Sequence, residues 1–170
     1  MKKYFYLVLV TIFCTVLFSK EYHEYRYNSY GLKEKVRTYV EKYSGGYDVY
    51  EYNSYGLKVK VGTIDQLPSG VKKGYKYNQY GLKEKTGGSE KKYGGQTETY
   101  NYNNYGLKQK KGTYVENYNG DVDYYIYNSY GLKEKVRTYV KNYNGDYDIY
   151  EYNSYGLKVK VGTTGVIPMK

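Results

Sequence analysis

The sequence predicts an all-β protein: an elongated antiparallel sheet or meander, flat or curled, built from six 25-residue hairpin repeats. Three observations predict it. The motif Tyr-x-Tyr-Asn-x-Tyr-Gly-Leu-Lys-x-Lys starts at Tyr25, Tyr50, Tyr75, Tyr100, Tyr125 and Tyr150, a period of 25 throughout. Within each copy, apolar and charged residues alternate with period two rather than 3.6. Each copy also carries two turn signals, which divide it into two strands, so ten to twelve strands are expected in all.

The elements follow in order within one period. In Tyr50-Glu51-Tyr52, alternation puts both tyrosines on one face and Glu51 on the other. Asn53-Ser54-Tyr55-Gly56 supplies Asn at the first and Gly at the fourth position, which predicts a type I turn closed by a left-handed glycine bulge. Leu57, Val59 and Val61 then share one face and Lys58 and Lys60 the other, a half-buried strand. The second turn is read from Asn119-Gly120 and Asn144-Gly145 as two-residue hairpin signals, with Gly45-Gly46 and Gly94-Gly95 as looser equivalents. The connection from Asp65 to Gly70, with Pro68, is expected to be irregular. Residues 25 to 62 resemble 125 to 162 more closely than the middle copies, the mark of a duplicated larger block. Neighbouring units should stack into tyrosine ladders that also hold the register.

Composition narrows the role. The 170 residues include 31 Tyr against 3 Phe and no Trp, so tyrosine must do much of the packing, with hydroxyls that still need partners. The net charge of +10 favours anionic partners. Met1 to Lys3 is basic, Tyr4 to Phe18 is uncharged, and Ser19 precedes Lys20. This predicts a signal peptide over 1–19, followed by a single array over 20–170 that is secreted or held at the cell surface. The only cysteine, Cys14, lies in the leader, so the array is expected to lack disulfides.

The repeated motif, followed about a dozen residues later by a Gly and another Tyr-x-Tyr, resembles the YD (RHS) repeats of bacterial surface and toxin proteins. That family's Tyr-Asp is replaced here by Tyr-Asn at Asn28, Asn53, Asn78, Asn103, Asn128 and Asn153. The resemblance implies a hairpin-per-repeat sheet used in carbohydrate binding or cell-surface contact; six units look too few for the closed shell of longer members. The pairing of Tyr with a Gly turn also resembles MORN-type repeats, although their Glu-Gly and aromatic-Gly signatures are missing.

Catalytic chemistry is not expected. The single histidine, His23, lies outside the first repeat, where a solvated position is expected, and no Cys, His or carboxylate pair stands apart from the repetition. Asp121 with Asp123 and Asp146 with Asp148 lack the dense oxygen donors that calcium needs and read as turn chemistry. No metal, cofactor or catalytic residue is assigned.

The candidate binding set is the repeated tyrosines beside repeated lysines: Tyr27, Tyr30, Lys33, Lys35, Tyr52, Tyr55, Lys58, Lys60, Tyr77, Tyr80, Tyr102, Tyr105, Tyr127, Tyr130, Tyr152, Tyr155, Lys158 and Lys160. Aromatic faces stack on sugar rings and ammonium groups meet acidic ones, and copies in series supply avidity. The expected partner is an anionic polysaccharide or cell-envelope polymer. Against this stands the packing reading, in which the tyrosines form the sheet's own apolar face and Lys33 and Lys35 keep the opposite face soluble. Self-association through exposed strand edges, giving a matrix or coat, is the alternative function. Nucleic acid fits less well in an exported chain. A bilayer surface also fits less well, because the lysines are spread along all six units. The segment Gly165 to Lys170 lacks the look of a capping repeat, which leaves open that the array belongs to a longer surface protein.

Overall fold

The computed structural model describes residues 19–170. The expected signal peptide, apart from Ser19, lies outside the described residues. Twelve antiparallel strands follow one another: β1 (Glu21–Tyr27), β2 (Lys33–Glu41), β3 (Gly46–Tyr52), β4 (Lys58–Gln66), β5 (Lys72–Tyr77), β6 (Lys83–Lys91), β7 (Thr97–Tyr102), β8 (Lys108–Glu116), β9 (Val122–Tyr127), β10 (Lys133–Lys141), β11 (Tyr147–Tyr152) and β12 (Lys158–Thr164). Each pairs with the next, as a meander should. The sheet does not stay open, however: β1 pairs with β12 through Glu24 and Thr164, Tyr25 and Thr163, and Arg26 and Gly162, closing a barrel.

Closure follows from a stagger repeated in every unit. Gly62 on β4 faces Lys76 on β5, which faces Glu84 on β6. Glu84 lies two ladder steps from Gly87, the residue equivalent to Gly62. Each hairpin is thus displaced along its neighbour, the strands tilt, and equivalent residues fall at one height around a ring. Six hairpins suffice to close it, which corrects the expectation of an open or curled sheet.

The first turn forms as its residues dictate. Gly56 donates to the Asn53 carbonyl at 2.9 Å, Gly56 has φ +73°, and the Asn53 side chain accepts from the amides of Tyr55 and Leu57. Asn supplies the side-chain acceptor and Gly the left-handed backbone. The second turns use the same geometry rather than a two-residue loop: Gly120 donates to Asn117 and Asn117 donates to Asp121. Asn119 stays at negative φ, as do all non-glycine residues described. The connection at Pro68 is equally regular, with Gly70 donating to Leu67 at 2.9 Å. Pro68 occupies the second turn position, where a fixed φ near −65° suits a type I turn.

A bulge in the second strand of every hairpin decides which residues enter the lumen. Tyr50 pairs with Lys60 and Val49 with Gly62, so Val61 is the extra residue. Beyond it the alternation is reversed, and Gly62 and Ile64 point inward where strict alternation from Val59 would have sent Thr63. The inward face is identified by the chain end. After β12 the segment Gly165–Lys170 crosses the lumen, and Ile167 is buried against Val122, Tyr139 and Ile149.

A belt of charge accompanies this core. Arg37 pairs with Glu51 and reaches Glu24 at 3.6 Å; Arg26 joins Glu24 at 3.0 Å to Glu151 at 3.3 Å; Arg137 closes on Glu151. The Tyr39 hydroxyl donates to Glu24 at 2.9 Å. Burial, and then the Glu24 carboxylate, push the Tyr39 hydroxyl well above its usual pKa. Burial alone would raise the Glu151 carboxyl, but Arg137 and Arg26 hold it below the usual range.

Candidate functional site

The closed barrel gathers what the sequence spreads out. All six Asn-x-Tyr-Gly-Leu turns lie at one rim and the remaining turns at the other. At the first rim the tyrosines Tyr30, Tyr55, Tyr80, Tyr105, Tyr130 and Tyr155 are between 77% and 87% exposed. Beside each stands a leucine, Leu32, Leu57, Leu82, Leu107, Leu132 or Leu157, also exposed. The bonds from the turn asparagine to the tyrosine and leucine amides recur in all six units and fix the tips alike.

Behind the rim, the outer wall is a lattice of lysine on tyrosine. Lys33 lies over Tyr25 at 4.3 Å from the ring centre, Lys58 over Tyr50 at 4.6 Å, Lys83 over Tyr75 at 4.0 Å and Lys108 over Tyr100 at 3.9 Å. Lys133 over Tyr125 at 4.3 Å and Lys158 over Tyr150 at 4.4 Å complete the ring. A second row links neighbouring hairpins, with Lys35 at 6.0 Å from Tyr52, Lys60 at 6.0 Å from Tyr77, Lys85 at 4.2 Å from Tyr102 and Lys110 at 4.7 Å from Tyr127. Threonines seat this row from below: Thr38 shares a hydrogen bond with the Tyr52 hydroxyl at 2.9 Å and Thr138 with Tyr152 at 3.0 Å.

The placement of lysines opposite the tyrosines is therefore corrected. Tyr52 pairs directly with Lys58, and Tyr50 with Lys60, so they share the outward face. The five-residue turn sets this parity: residues flanking the turn are cross-strand partners, and partners project to the same side. The tyrosines are thus not the sheet's concealed packing face, whose place is taken by the inward rows.

The nominated lysines differ in electrostatic state. Lys60 is bonded to Asp48 at 2.8 Å and Lys160 to Asp148 at 2.7 Å, and these carboxylates, as hydrogen-bond acceptors first, raise both amines above their usual pKa. Lys58 meets Glu21 at 2.8 Å. Lys33, Lys35 and Lys158 make no salt bridge among the described residues, and each lies against an aromatic ring. Hydrogen bonding from Lys85 draws the Tyr102 hydroxyl below its usual pKa, and bonds from Thr113 and Lys110 do the same for Tyr127. Burial and the neighbouring Tyr102 push Tyr100 up to about 12.

Several residues were missed by sequence reasoning. The crown leucines were read as half-buried strand residues, yet each sits in the turn. Lys83, Lys85, Lys108, Lys110, Lys133 and Lys135 occupy the same lattice as the nominated lysines, and their signal was the Lys-x-Lys present in every unit. His23 is not freely solvated: it lies in β1 with its ring nitrogen 3.1 Å from Thr38 Oγ1, and burial lowers its pKa. Of the acidic pairs, Asp123 accepts from Lys135 and Thr138, and Asp121 accepts from the Lys141 amide. No family model and no curated protein matches the chain, so the motif likenesses to YD and MORN repeats stand alone.

Proposed function

We propose that the protein is an exported, non-catalytic repeat barrel that binds anionic extracellular or cell-envelope polysaccharide through its crown and the lysine wall behind it. The carrying observation is the ring of six exposed tyrosines on one rim, backed by lysines of which Lys33, Lys35 and Lys158 make no salt bridge among the described residues. A tyrosine tip offers an aromatic face to a sugar ring, and an ammonium a step behind meets a carboxylate, sulfate or phosphate on the same polymer. One such site is weak. Six at equal spacing on a rigid ring let a repeating polymer engage several at once, and linked contacts gain about 10²–10⁴ in avidity.

Outward ion pairs such as Lys60 with Asp48 and Lys135 with Asp123 lie partway along the strands, where a lipid-facing barrel would carry its apolar band. That favours an aqueous setting for the wall. The alternative of a self-assembling coat loses its edge-pairing route, because β1 and β12 pair with each other. What remains for it is end-to-end contact through the crown leucines.

Sedimentation separates the two. With the array of residues 20–170 and an insoluble acidic polysaccharide, the protein is expected to pellet only with polymer and to be released as salt is raised, because exposed charge is screened. Pelleting without polymer, increasing with protein concentration, would replace the binding reading with the coat.

A further inference from the structure

The opposite rim carries a second charged feature, independent of the crown. There the segment Gly165–Lys170 enters the lumen and leaves beside it a cleft of about 470 Å³. Lys20, Lys72, Lys91, Lys141 and Lys170 line it, with Glu116 as its acidic group. Glu116 is already engaged by Lys170 at 2.7 Å. Lys20, Lys91 and Lys141 have no acidic partner among the described residues. Five lysines thus line a concave site in which Glu116 supplies the one acidic side chain of the lining.

The fold assembles this cluster from positions that differ between units. Lys72 occupies the inward position filled by Tyr47 and Tyr147 in sister units. Its ammonium donates to the main-chain oxygens of Pro168 at 3.0 Å and Lys170 at 2.5 Å, which hold it in the cleft wall. Lys91 and Lys141 stand where Gln66 and Glu116 stand elsewhere, at the lip. The rings of Tyr22, Tyr47 and Tyr147 form part of the lining. Lysine side chains in such a cluster can each turn an N–H toward a common acceptor and act as point charges for a phosphoryl or carboxyl group.

We propose that this cleft is an oxyanion-binding site, taking a phosphate or carboxylate group borne by a molecule up to about the size of a monosaccharide. Burial first, and then the charges of Lys91 and Lys170, push the Lys72 amine down to about 8, and the lysine part of that shift is what a counter-charge would offset. An anion seated among the lysines supplies that counter-charge, and binding to the folded state alone stabilises it by mass action.

The test is the thermal midpoint of the purified chain in increasing inorganic phosphate, and separately in glucuronate, each against chloride at equal ionic strength. A saturable rise is expected, with apparent affinity at least tenfold weaker in K91Q/K141Q, whose substitutions lie at the exposed lip and spare the core. The variant K76Q, on β5 and outside both the cleft lining and the lysine wall, is expected to respond as the unaltered chain does. A response to both anions assigns the shared oxyanion chemistry, and a response to one restricts the site to that group. No response to either, an unsaturable rise, an equal rise in K91Q/K141Q, or a loss in K76Q would overturn the proposal.

Discussion

Replacing Ile149 by alanine is expected to lower the unfolding free energy by about 3 kcal/mol, within the roughly 2–5 kcal/mol range for buried isoleucines cut to alanine. Ile149 is 1% exposed and sits where β11, its neighbour Tyr139 and the chain-end residue Ile167 meet. The cavity cannot collapse easily, because the surrounding side chains are anchored on a closed ring of backbone bonds. In a domain of this size the melting midpoint should fall by on the order of 10 °C. The exposed crown substitution Leu157→Ala should change stability by no more than about 0.5 kcal/mol. Chemical denaturation of both variants reads the difference. Equal losses, or none at Ile149, would mean that the chain end does not seal a packed lumen.

The larger functional effect is expected at the crown. Converting Tyr30, Tyr55, Tyr80, Tyr105, Tyr130 and Tyr155 together to alanine should weaken retention on acidic polysaccharide by at least about 100-fold, the lower end of what linked weak sites contribute. Tyr55→Ala alone should cost only about two- to threefold, because five equivalent tips remain. These side chains pack little, so both proteins should keep the parent's unfolding free energy, to within about 0.5 kcal/mol per substitution. Unchanged retention in the sixfold variant would remove the crown from the binding account.

Much of the fold is legible in the sequence because its signals are local. The period of 25, the Asn and Gly of each first turn, and the alternation of lysine with valine each report on a few adjacent residues, and the structure has the twelve antiparallel strands they imply. The parts that escaped depend on relations between strands. Whether Tyr52 and Lys58 share a face is set by the turn register, and the inward placement of Ile64 is set by the bulge at Val61. Neither follows from alternation within one strand. Closure is less local still: it needs the two-step stagger between hairpins, a quantity that identical repeats do not display.

The candidate site shows the same division. Its residue types were visible as tyrosine beside lysine in every unit, but their gathering at one rim exists only once β1 meets β12. The ion belt was hidden differently. Arg37 and Arg137 replace a glycine present at Gly62, Gly87, Gly112 and Gly162, so the break in repetition was itself the signal. Glu24 and Glu151 stand on other strands and become their partners only in the lumen.

The central claim is that the array closes, since closure makes six separate turns into one ring. The most direct measurement is nuclear Overhauser contact between the backbones of Tyr25 and Thr163, cross-strand partners at the seam. Cross-strand contacts there, as there are between Tyr25 and Lys35 within the first hairpin, are the predicted result. Normal contacts inside every hairpin with none between Tyr25 and Thr163 would contradict it, returning the molecule to an open meander with two free edges and no crown.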